Sequence, residues 1–132
     1  MLIGLGIDLA EVSYWRQVLA DPATAVVEHT FTHSERAYAL STHGEPAQHL
    51  AARFAAKEAC IKALGAARSP HPPLIMQLDL RTIEVLRDAH GRPSLALRGA
   101  ARVLADALGV RQTWLSLTHT GDTAGAVVVL EG

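Results

Sequence analysis

The sequence of 132 residues is poor in features that mark several large classes of protein. It contains one cysteine, Cys60, so no disulfide can form within the chain, which suits a reducing compartment. Twelve basic and thirteen acidic residues give a net charge of -1, which argues against a general nucleic-acid or membrane-surface partner. No stretch approaches the ~20 apolar residues of a membrane span. The first residues, MLIGLGIDLA, lack a basic leader. We therefore expect a cytoplasmic protein with no nucleic-acid or membrane partner.

Several catalytic and binding motifs are also incomplete. The GLG at residues 4–6 lacks the third glycine of a dinucleotide fingerprint, and backbone bending explains the two glycines. Ser34 and Ser116 have no base placed beside them, so a nucleophilic triad has no support. His29 and His33 have a spacing that zinc sites use on helices, but no further ligand completes such a site. The sequence thus offers neither a nucleophile nor a zinc centre.

The apolar content of 49% is enough for one domain over residues 1–132, and the chain is too short for two ordinary domains. Its patterns alternate between helical and strand periods, which predicts an α+β fold. A capping-box spacing from Thr32 to Glu35 begins one of the helices. The predicted helices cover residues 11–19, 35–40, 50–65 and 100–109, the last ended by Gly109. The predicted strands are LIGLGID closing at Asp8, two strands joined by a turn at 89–92, TWLSLTH and AGAVVVLE.

The most informative segment is LAARFAAKEACIKALG at residues 50–65, which is rich in strong helix formers. At ~100° per residue its apolar side chains form one face, and Lys57 falls inside that face. The apolar residues of the face are Leu50, Phe54, Ile61 and Leu64. Burying an unpaired ammonium costs several kcal/mol, so Lys57 needs a partner or must extend its stem to solvent. The partner could be a polyanion such as a diphosphate, with Arg53 one turn earlier as a second cation.

Glu58 and Lys62 lie four residues apart with the glutamate first, the arrangement of an ordinary surface ion pair. A metal site is the alternative, because Mg²⁺ binds through one or two carboxylates together with substrate phosphates and water. Asp8, at the predicted end of the first strand, is the candidate for a second carboxylate. His119 ends an alternating strand beside hydroxyl groups that can donate to phosphate, although a structural role explains it equally well when SLTHT is considered alone.

Five segments together resemble a known family in their order and spacing: GIDLAEV (6–12), FTHSER (31–36), LAARFAAKEACIKALG (50–65), IEVLRDAHGRP (83–93) and SLTHTGDTAGAVVV (116–129). The family is that of the holo-[acyl-carrier-protein] synthases, the small, single-domain class of 4'-phosphopantetheinyl transferases, and the chain looks most like actinobacterial members. The resemblance covers nearly the whole chain. It implies an antiparallel sheet packed against a long central helix, and a homotrimer with active sites at the subunit interfaces.

The resemblance also implies an activity. Family members transfer the phosphopantetheine arm of coenzyme A to a serine of an apo acyl carrier protein, with Mg²⁺, and release adenosine 3',5'-bisphosphate for fatty-acid or polyketide biosynthesis. By position, Asp8 and Glu58 match the Mg²⁺ ligands, and Glu58 is also expected to activate the acceptor serine. Lys62 matches the lysine that stabilises or protonates the leaving phosphate.

Four further residues are expected to contact coenzyme A by the same resemblance. His119 matches a histidine near the diphosphate and counts among the catalytic residues, and Thr120 follows it in the same motif. Lys57 and Arg53 are expected to meet the phosphates, together with Lys62. A non-catalytic module that binds coenzyme A or a carrier protein would keep these cations without needing the carboxylates, and it is the alternative from a different class.

Two departures from the family pattern affect the expected partners. The first helix, which is basic in many members, carries only Arg16 and is followed by Asp21. The carrier protein could therefore be less acidic, could be a domain of a large synthase rather than free-standing, or could dock on Tyr14 and Trp15. The loop GAARSPHPP (65–73) replaces a glycine-rich one, and its Arg68 could contact a phosphate of the nucleotide.

Overall fold

The computed structural model describes residues 1–41, 43–72 and 78–132. Its strands are β1 (Leu2–Glu11), β2 (Ile83–Arg87), β3 (Pro93–Leu97), β4 (Gln112–Thr120) and β5 (Thr123–Glu131). Its α-helices are α1 (Val12–Ala20), α2 (Val26–Thr30), α3 (His33–Ser41), α4 (Pro46–Ala67) and α5 (Gly99–Ala107), and a 3₁₀ turn spans Leu80–Thr82. The predicted α+β class is confirmed.

The strands form two antiparallel units, a three-stranded sheet in the order β1-β5-β4 and the hairpin β2-β3. The continuous apolar run of β5 occupies the middle of the larger sheet, where both edges of the strand are hydrogen-bonded. Alternate residues of β5 are buried on the face that α4 covers. These residues are Ala124, Ala126, Val128 and Leu130.

Helix α4 lies against β1 with almost no side chain between the two backbones. A Cβ added to Gly6 would stand 2.0 Å from the carbonyl oxygen of Ala59, and one added to Gly4 would stand 2.3 Å from that of Ala63. No side chain larger than hydrogen fits at either position. The expectation that backbone bending explains the GLG is therefore corrected, because the glycines allow a helix to approach a strand closely.

Several element boundaries differ from the predictions, and one helix was not predicted. Strand β1 continues to Glu11, so Asp8 lies inside the strand rather than at its end. Helix α4 begins at Pro46, a residue suited to a first helical turn, and it passes through Gly65 to Ala67. Helix α2 was not predicted, because five residues are too few to show a helical period. Pro73, at the end of the GAARSPHPP segment, lies outside the described residues.

The capping box at the start of α3 is confirmed. The backbone N–H of Thr32 donates to Glu35 Oε1 at 2.9 Å, and the backbone N–H of Glu35 donates to Thr32 Oγ1 at 3.2 Å. Gly109 follows α5 with a φ of 79°, the left-handed conformation that favours glycine after a helix end. Across the three described ranges, the helices are all too short or too polar to cross a membrane.

A pair of glycine substitutions tests the close approach of α4 to β1. Gly6→Ala forces a methyl group into the backbone of α4, so we expect the free energy of unfolding to fall by about 3 kcal/mol or more. Gly65→Ala is the matched control, because no atom lies within 4 Å of its added Cβ and alanine favours the helix by about 1 kcal/mol. Urea unfolding of both variants measures the difference. Similar stabilities would show that α4 and β1 are not in backbone contact.

Candidate active site

Asp8, Glu58 and Lys62 meet where α4 crosses β1. The Lys62 ammonium donates to Asp8 Oδ1 at 2.8 Å and to the carbonyl oxygen of Ile7 at 3.1 Å. Lys62 therefore bridges the helix to the strand instead of forming a surface ion pair with Glu58. The Asp8 side chain is 18% exposed and that of Lys62 is 56% exposed, so the cluster is open to solvent on one side. The structure thus brings together three residues that the sequence separates by up to 54 positions.

The electrostatics of this cluster favour an added cation. Burial raises the pKa of Glu58, the negative charge of Asp8 raises it further, and Lys62 opposes both effects. Two carboxylates that repel each other in a partly desolvated place bind protons or cations more readily than isolated ones. A divalent ion would relieve this repulsion.

The donor set fits Mg²⁺. Carboxylate oxygens are hard ligands, and Mg²⁺ commonly takes one or two of them and fills its remaining positions with water or phosphate oxygens. In the part of the chain that the structure describes, no group of three or more histidine, cysteine, aspartate or glutamate residues could hold a metal ion. A metal ion here would therefore have Asp8 and Glu58 as its protein ligands and would remain open to a substrate.

A pocket of about 270 Å³ opens beside the cluster, between the first half of α4, the end of β2 and strand β4. Its polar lining residues are Gln48, His49, Arg87, Ser116, Thr118 and His119. Asp8 and Leu117 both lie opposite Ala126 in the sheet, and Leu117 lines the pocket. Since β1 and β4 each lie ~4.8 Å from β5, the backbone of Leu117 at the pocket is about 10 Å from that of Asp8. His119 lies opposite Ala124, so it shares the α4-facing side of the sheet with Asp8.

The back of the pocket is electropositive. The guanidinium of Arg53 lies 4.3 Å and that of Arg87 5.4 Å from the centroid of the Tyr38 ring. Arg53 is 1% exposed, burial lowers its pKa, and the neighbouring charge of Arg87 lowers that pKa further. The Nε atoms of both arginines are buried without a protein partner. Two adjacent cations with unused donors raise the affinity of this region for an anion.

The expectation that Arg53 meets a phosphate directly is corrected by its position. Arg53 lies behind the pocket wall, where it stacks on Tyr38 and donates to the carbonyl oxygen of His49 at 3.3 Å. Arg87 is the arginine that lines the pocket. Arg53 contributes positive charge from inside the protein.

The expectation for Lys57 is corrected more strongly. Its side chain is 0% exposed, and its ammonium donates to Glu35 Oε1 at 2.8 Å and to the carbonyl oxygens of Leu80 and Ile83 at 2.8 and 2.6 Å. An ammonium has three hydrogens, so these acceptors use all of them. Burial lowers the pKa of Lys57, and Glu35 counteracts this. Lys57 neither extends to solvent nor has a donor left for a phosphate.

Other sequence expectations have mixed outcomes. Thr120 is exposed beside the β4–β5 turn and pairs with Thr123 in the sheet register. Arg68 donates from Nε to the carbonyl oxygen of Pro72. Trp15 is 2% exposed and packs against Phe31, so it cannot serve as a docking anchor. Cys60 is buried in the core, and burial raises the pKa of its thiol to about 12.

Sequence reasoning missed His49 and Arg87. His49 is partly buried, contacts the Tyr38 ring edge-on at 5.5 Å and is hydrogen-bonded to the carbonyl oxygen of His43. Arg87 could have been found from the alternation of IEVLR, because it shares a strand face with Ile83 and Val85, which are buried. A cation on an otherwise buried strand face suggests a special environment.

Comparisons with known proteins show the family of the chain. The sequence model of the 4'-phosphopantetheinyl transferase superfamily matches residues 4–125, so the chain belongs to that superfamily of enzymes. Proteins named holo-[acyl-carrier-protein] synthase are similar to it over nearly their full length. The one from Mycobacterium tuberculosis is 44% identical over 131 residues, covering 98% of this chain and 97% of the relative. The one from Nocardia farcinica is 43% identical over 130 residues, covering 98% and 88%.

Solved structures show the same similarity. An acyl carrier protein synthase from Mycobacterium tuberculosis has a TM-score of 0.75 at 41% identity, covering 99% of this chain and 98% of that one. The Chronobacterium ammoniagenes ACPS-CoA complex has a TM-score of 0.85 at 36% identity, covering 97% and 96%. The resemblance seen in the sequence, including its actinobacterial character, is confirmed.

The electrostatic coupling of the two carboxylates can be tested in the metal-free protein. We expect a pKa of Glu58 above its ordinary value, and Asp8→Asn should lower it because removing a negative neighbour favours the charged form. The pKa should stay elevated in the variant, since burial is the larger cause. Carbon-13 NMR of the glutamate carboxyls measures both values. A Glu58 pKa that Asp8→Asn leaves unchanged would show that the two groups do not interact.

Proposed function

We propose that this protein transfers the 4'-phosphopantetheine group of coenzyme A to a serine of an apo acyl carrier protein, with Mg²⁺, releasing adenosine 3',5'-bisphosphate. The observation that carries the proposal is the juxtaposition of the Asp8, Glu58 and Lys62 cluster with a pocket that Arg87 lines, on strands whose backbones are about 10 Å apart. One end of this arrangement suits a metal-bound diphosphate, and the other suits the phosphorylated nucleoside of coenzyme A. Relatives with the synthase name and the structures with bound coenzyme A support it.

Phosphoryl-type transfer depends mainly on positioning and charge stabilisation, and the residues divide accordingly. The serine oxygen forms a bond to the phosphorus of the phosphopantetheine group, and the bond from that phosphorus to the nucleotide oxygen breaks. Glu58, with its raised pKa, accepts the serine proton. Lys62 donates to Asp8 in the structure, and it is placed to donate to the leaving phosphate instead when substrate is bound. When bound by Asp8 and Glu58, Mg²⁺ would supply charge neutralisation at the diphosphate.

The pocket holds the nucleotide part of coenzyme A in this proposal. Its volume of about 270 Å³ takes only part of the molecule, so the remainder extends along α4 toward the carboxylates. Arg87 and His49 contact phosphate oxygens, and His119 with Thr120 lies between the nucleotide and the diphosphate. Arg53 adds charge from behind the wall. The fully bonded Lys57 has no part in binding.

A module that only binds coenzyme A is a weaker candidate. Such a module would gain nothing from two mutually repelling carboxylates with a lysine bridging to one of them. The transferase gives each of these groups a role.

The carrier protein is proposed to dock beside α1, which is less basic than in many family members. Arg16 is neutralised by an exposed ion pair with Glu45. Trp15 is buried, which leaves Tyr14, at 50% exposure, as the aromatic contact that the helix offers. A carrier of fatty-acid or polyketide synthesis with modest acidity would suit this surface, and we expect the reaction to take place in the cytoplasm.

We further propose a homotrimer, held by the face of the larger sheet that points away from α4. Leu5, Ile7 and Leu9 of β1 are 62%, 64% and 68% exposed, and Trp114 of β4 is 55% exposed. Leu5 and Trp114 flank Val129 in one row of the sheet, so these side chains form a continuous apolar face. Exposed apolar patches of this kind mark protein interfaces, and further copies of this chain would cover it.

Transfer itself is tested by mass spectrometry of an apo acyl carrier protein incubated with the protein, coenzyme A and Mg²⁺. We expect the carrier to gain one phosphopantetheine group. Glu58→Gln should slow the reaction at least ~100-fold because it removes both a metal ligand and the proton acceptor. Asp106→Asn on α5, where the carboxylate forms an exposed ion pair with Arg102, is the matched control and should keep full activity.

Two results would contradict the proposed transfer. One is no gain in mass with carriers from both free-standing and synthase-embedded systems, which would favour the binding module. The other is full activity of Glu58→Gln, which would remove Glu58 from the reaction.

The proposed trimer predicts that Leu5→Glu dissociates the protein, since a charge in an apolar interface loses its hydration without gaining a partner. Val103→Glu on α5, where the valine is 71% exposed, is the control and should leave assembly unchanged. Sedimentation-velocity ultracentrifugation distinguishes trimer from monomer. A wild-type protein that is monomeric at all concentrations would refute the assembly.

A further inference from the structure

Among the strands that the structure describes, β2 is paired along one edge only. Its hydrogen-bonded neighbour is β3, with Ile83 opposite Leu97 and Val85 opposite Leu95. The other edge turns toward α3 and α4, whose side chains bond its backbone, and Ile83 and Val85 are 0% and 3% exposed. Buried backbone groups need hydrogen-bond partners, and in most sheets a further strand supplies them.

A single ion pair supplies these partners here. Lys57 donates to the carbonyl oxygen of Ile83 at 2.6 Å, and the backbone N–H of Val85 donates to Glu35 Oε2 at 2.9 Å. The two side chains join each other at 2.8 Å, and both are 0% exposed. The ammonium of Lys57 thus satisfies one carbonyl group of the strand edge, and the carboxylate of Glu35 satisfies one N–H group.

The pair is itself held rigidly. Glu35 Oε1 also accepts the backbone N–H of Thr32 in the capping box of α3. Lys57 also donates to the carbonyl oxygen of Leu80, at the start of the 3₁₀ turn before β2. The pair therefore fixes α3, α4 and the entry to β2 relative to one another.

Arg87 lies at the far end of the same strand. It shares the inner face of β2 with Ile83 and Val85, and from there its guanidinium reaches the Tyr38 ring and the pocket. Its position thus depends on how β2 lies against α4. The bond from Val85 to Glu35, two residues before Arg87, fixes this part of β2, and the Arg87 guanidinium also donates to the carbonyl oxygen of Gly91.

We propose that Lys57 and Glu35 are positioning residues that hold Arg87 at the pocket, where it binds a phosphate of the nucleotide part of coenzyme A. This inference rests on the proposed function. A well-packed apolar pair could replace a buried ion pair with little loss of stability, but it could not bond the strand edge. In this proposal the role of the pair is to set the position of β2.

A double-mutant cycle between Lys57 and Arg87 tests the inference. Lys57→Met should raise the KM for coenzyme A about tenfold and change kcat less than about threefold, since Asp8, Glu58 and Lys62 are untouched. In an Arg87→Gln background, Lys57→Met should change KM less than about twofold, because the arginine that Lys57 positions is already absent. Circular-dichroism melting confirms that each variant is folded at the assay temperature.

Glu35→Gln provides a second route if Lys57→Met does not fold. Glutamine keeps one oxygen for Thr32 and Lys57 but presents an amide donor to the N–H of Val85, so it releases the strand edge without removing the ammonium. Glu35→Gln should therefore raise the KM for coenzyme A when Arg87 is present and change it little in the Arg87→Gln background. Arg98→Gln is the matched control, because Arg98 bonds Glu84 on the opposite face of β2, and it should leave KM unchanged.

The possible failures are distinguishable. Wild-type protein that neither binds coenzyme A nor modifies a carrier would refute the proposed function. If the wild-type protein is active, two results would refute the positioning role alone. One is that Lys57→Met changes KM equally with and without Arg87, and the other is that Lys57→Met lowers kcat at constant KM.

Discussion

The contact of the α4 backbone with β1 is the constraint on which the rest of the structure depends. Gly4 and Gly6 leave no side chain between Ala63 and Ala59 of the helix and the strand. At this short distance Glu58 and Lys62 of α4 are brought beside Asp8 of β1. A helix held one side-chain layer further away could not form the Lys62 to Asp8 bond at 2.8 Å. Packing and chemistry are therefore set by the same two glycines.

A second consequence is that α4 is enclosed by protein on several sides. The sheet covers one side of the helix, and α1, α3 and β2 cover others, so Arg53 and Lys57 lie in the interior although both are charged. The protein satisfies the two cations differently. Lys57 has a carboxylate and two carbonyl groups, whereas Arg53 has an aromatic face, one carbonyl and an unused Nε. Lys57 therefore holds neighbouring elements together, whereas Arg53 adds positive charge near the pocket.

Much of the fold and part of the site could be predicted from the sequence. The capping box, the amphipathic helix of residues 100–109 and the alternating strands are local signals, and each was located to within a few residues. The cluster of Asp8, Glu58 and Lys62 was expected from residue chemistry and resemblance, and the structure brings these residues together. The partner of Lys57 could not be predicted, because Glu35 is 22 positions away in the sequence. The sequence pattern around Glu35 indicated only the capping box, in which Glu35 also takes part.

The sequence by itself determined the class of fold, because this depends on local period and residue type, and the superfamily, through the resemblance of five segments to that family. Only the tertiary structure decided which charges face a ligand and which face the interior. Lys57 and Glu58 are neighbours in the chain, yet a helix turns them ~100° apart, so one meets a buried strand edge and the other an open carboxylate cluster. Burial depends on what packs against each side of the helix, and elements distant in the sequence supply that packing. The structure also revealed Arg87 and His49 as pocket residues for the same reason.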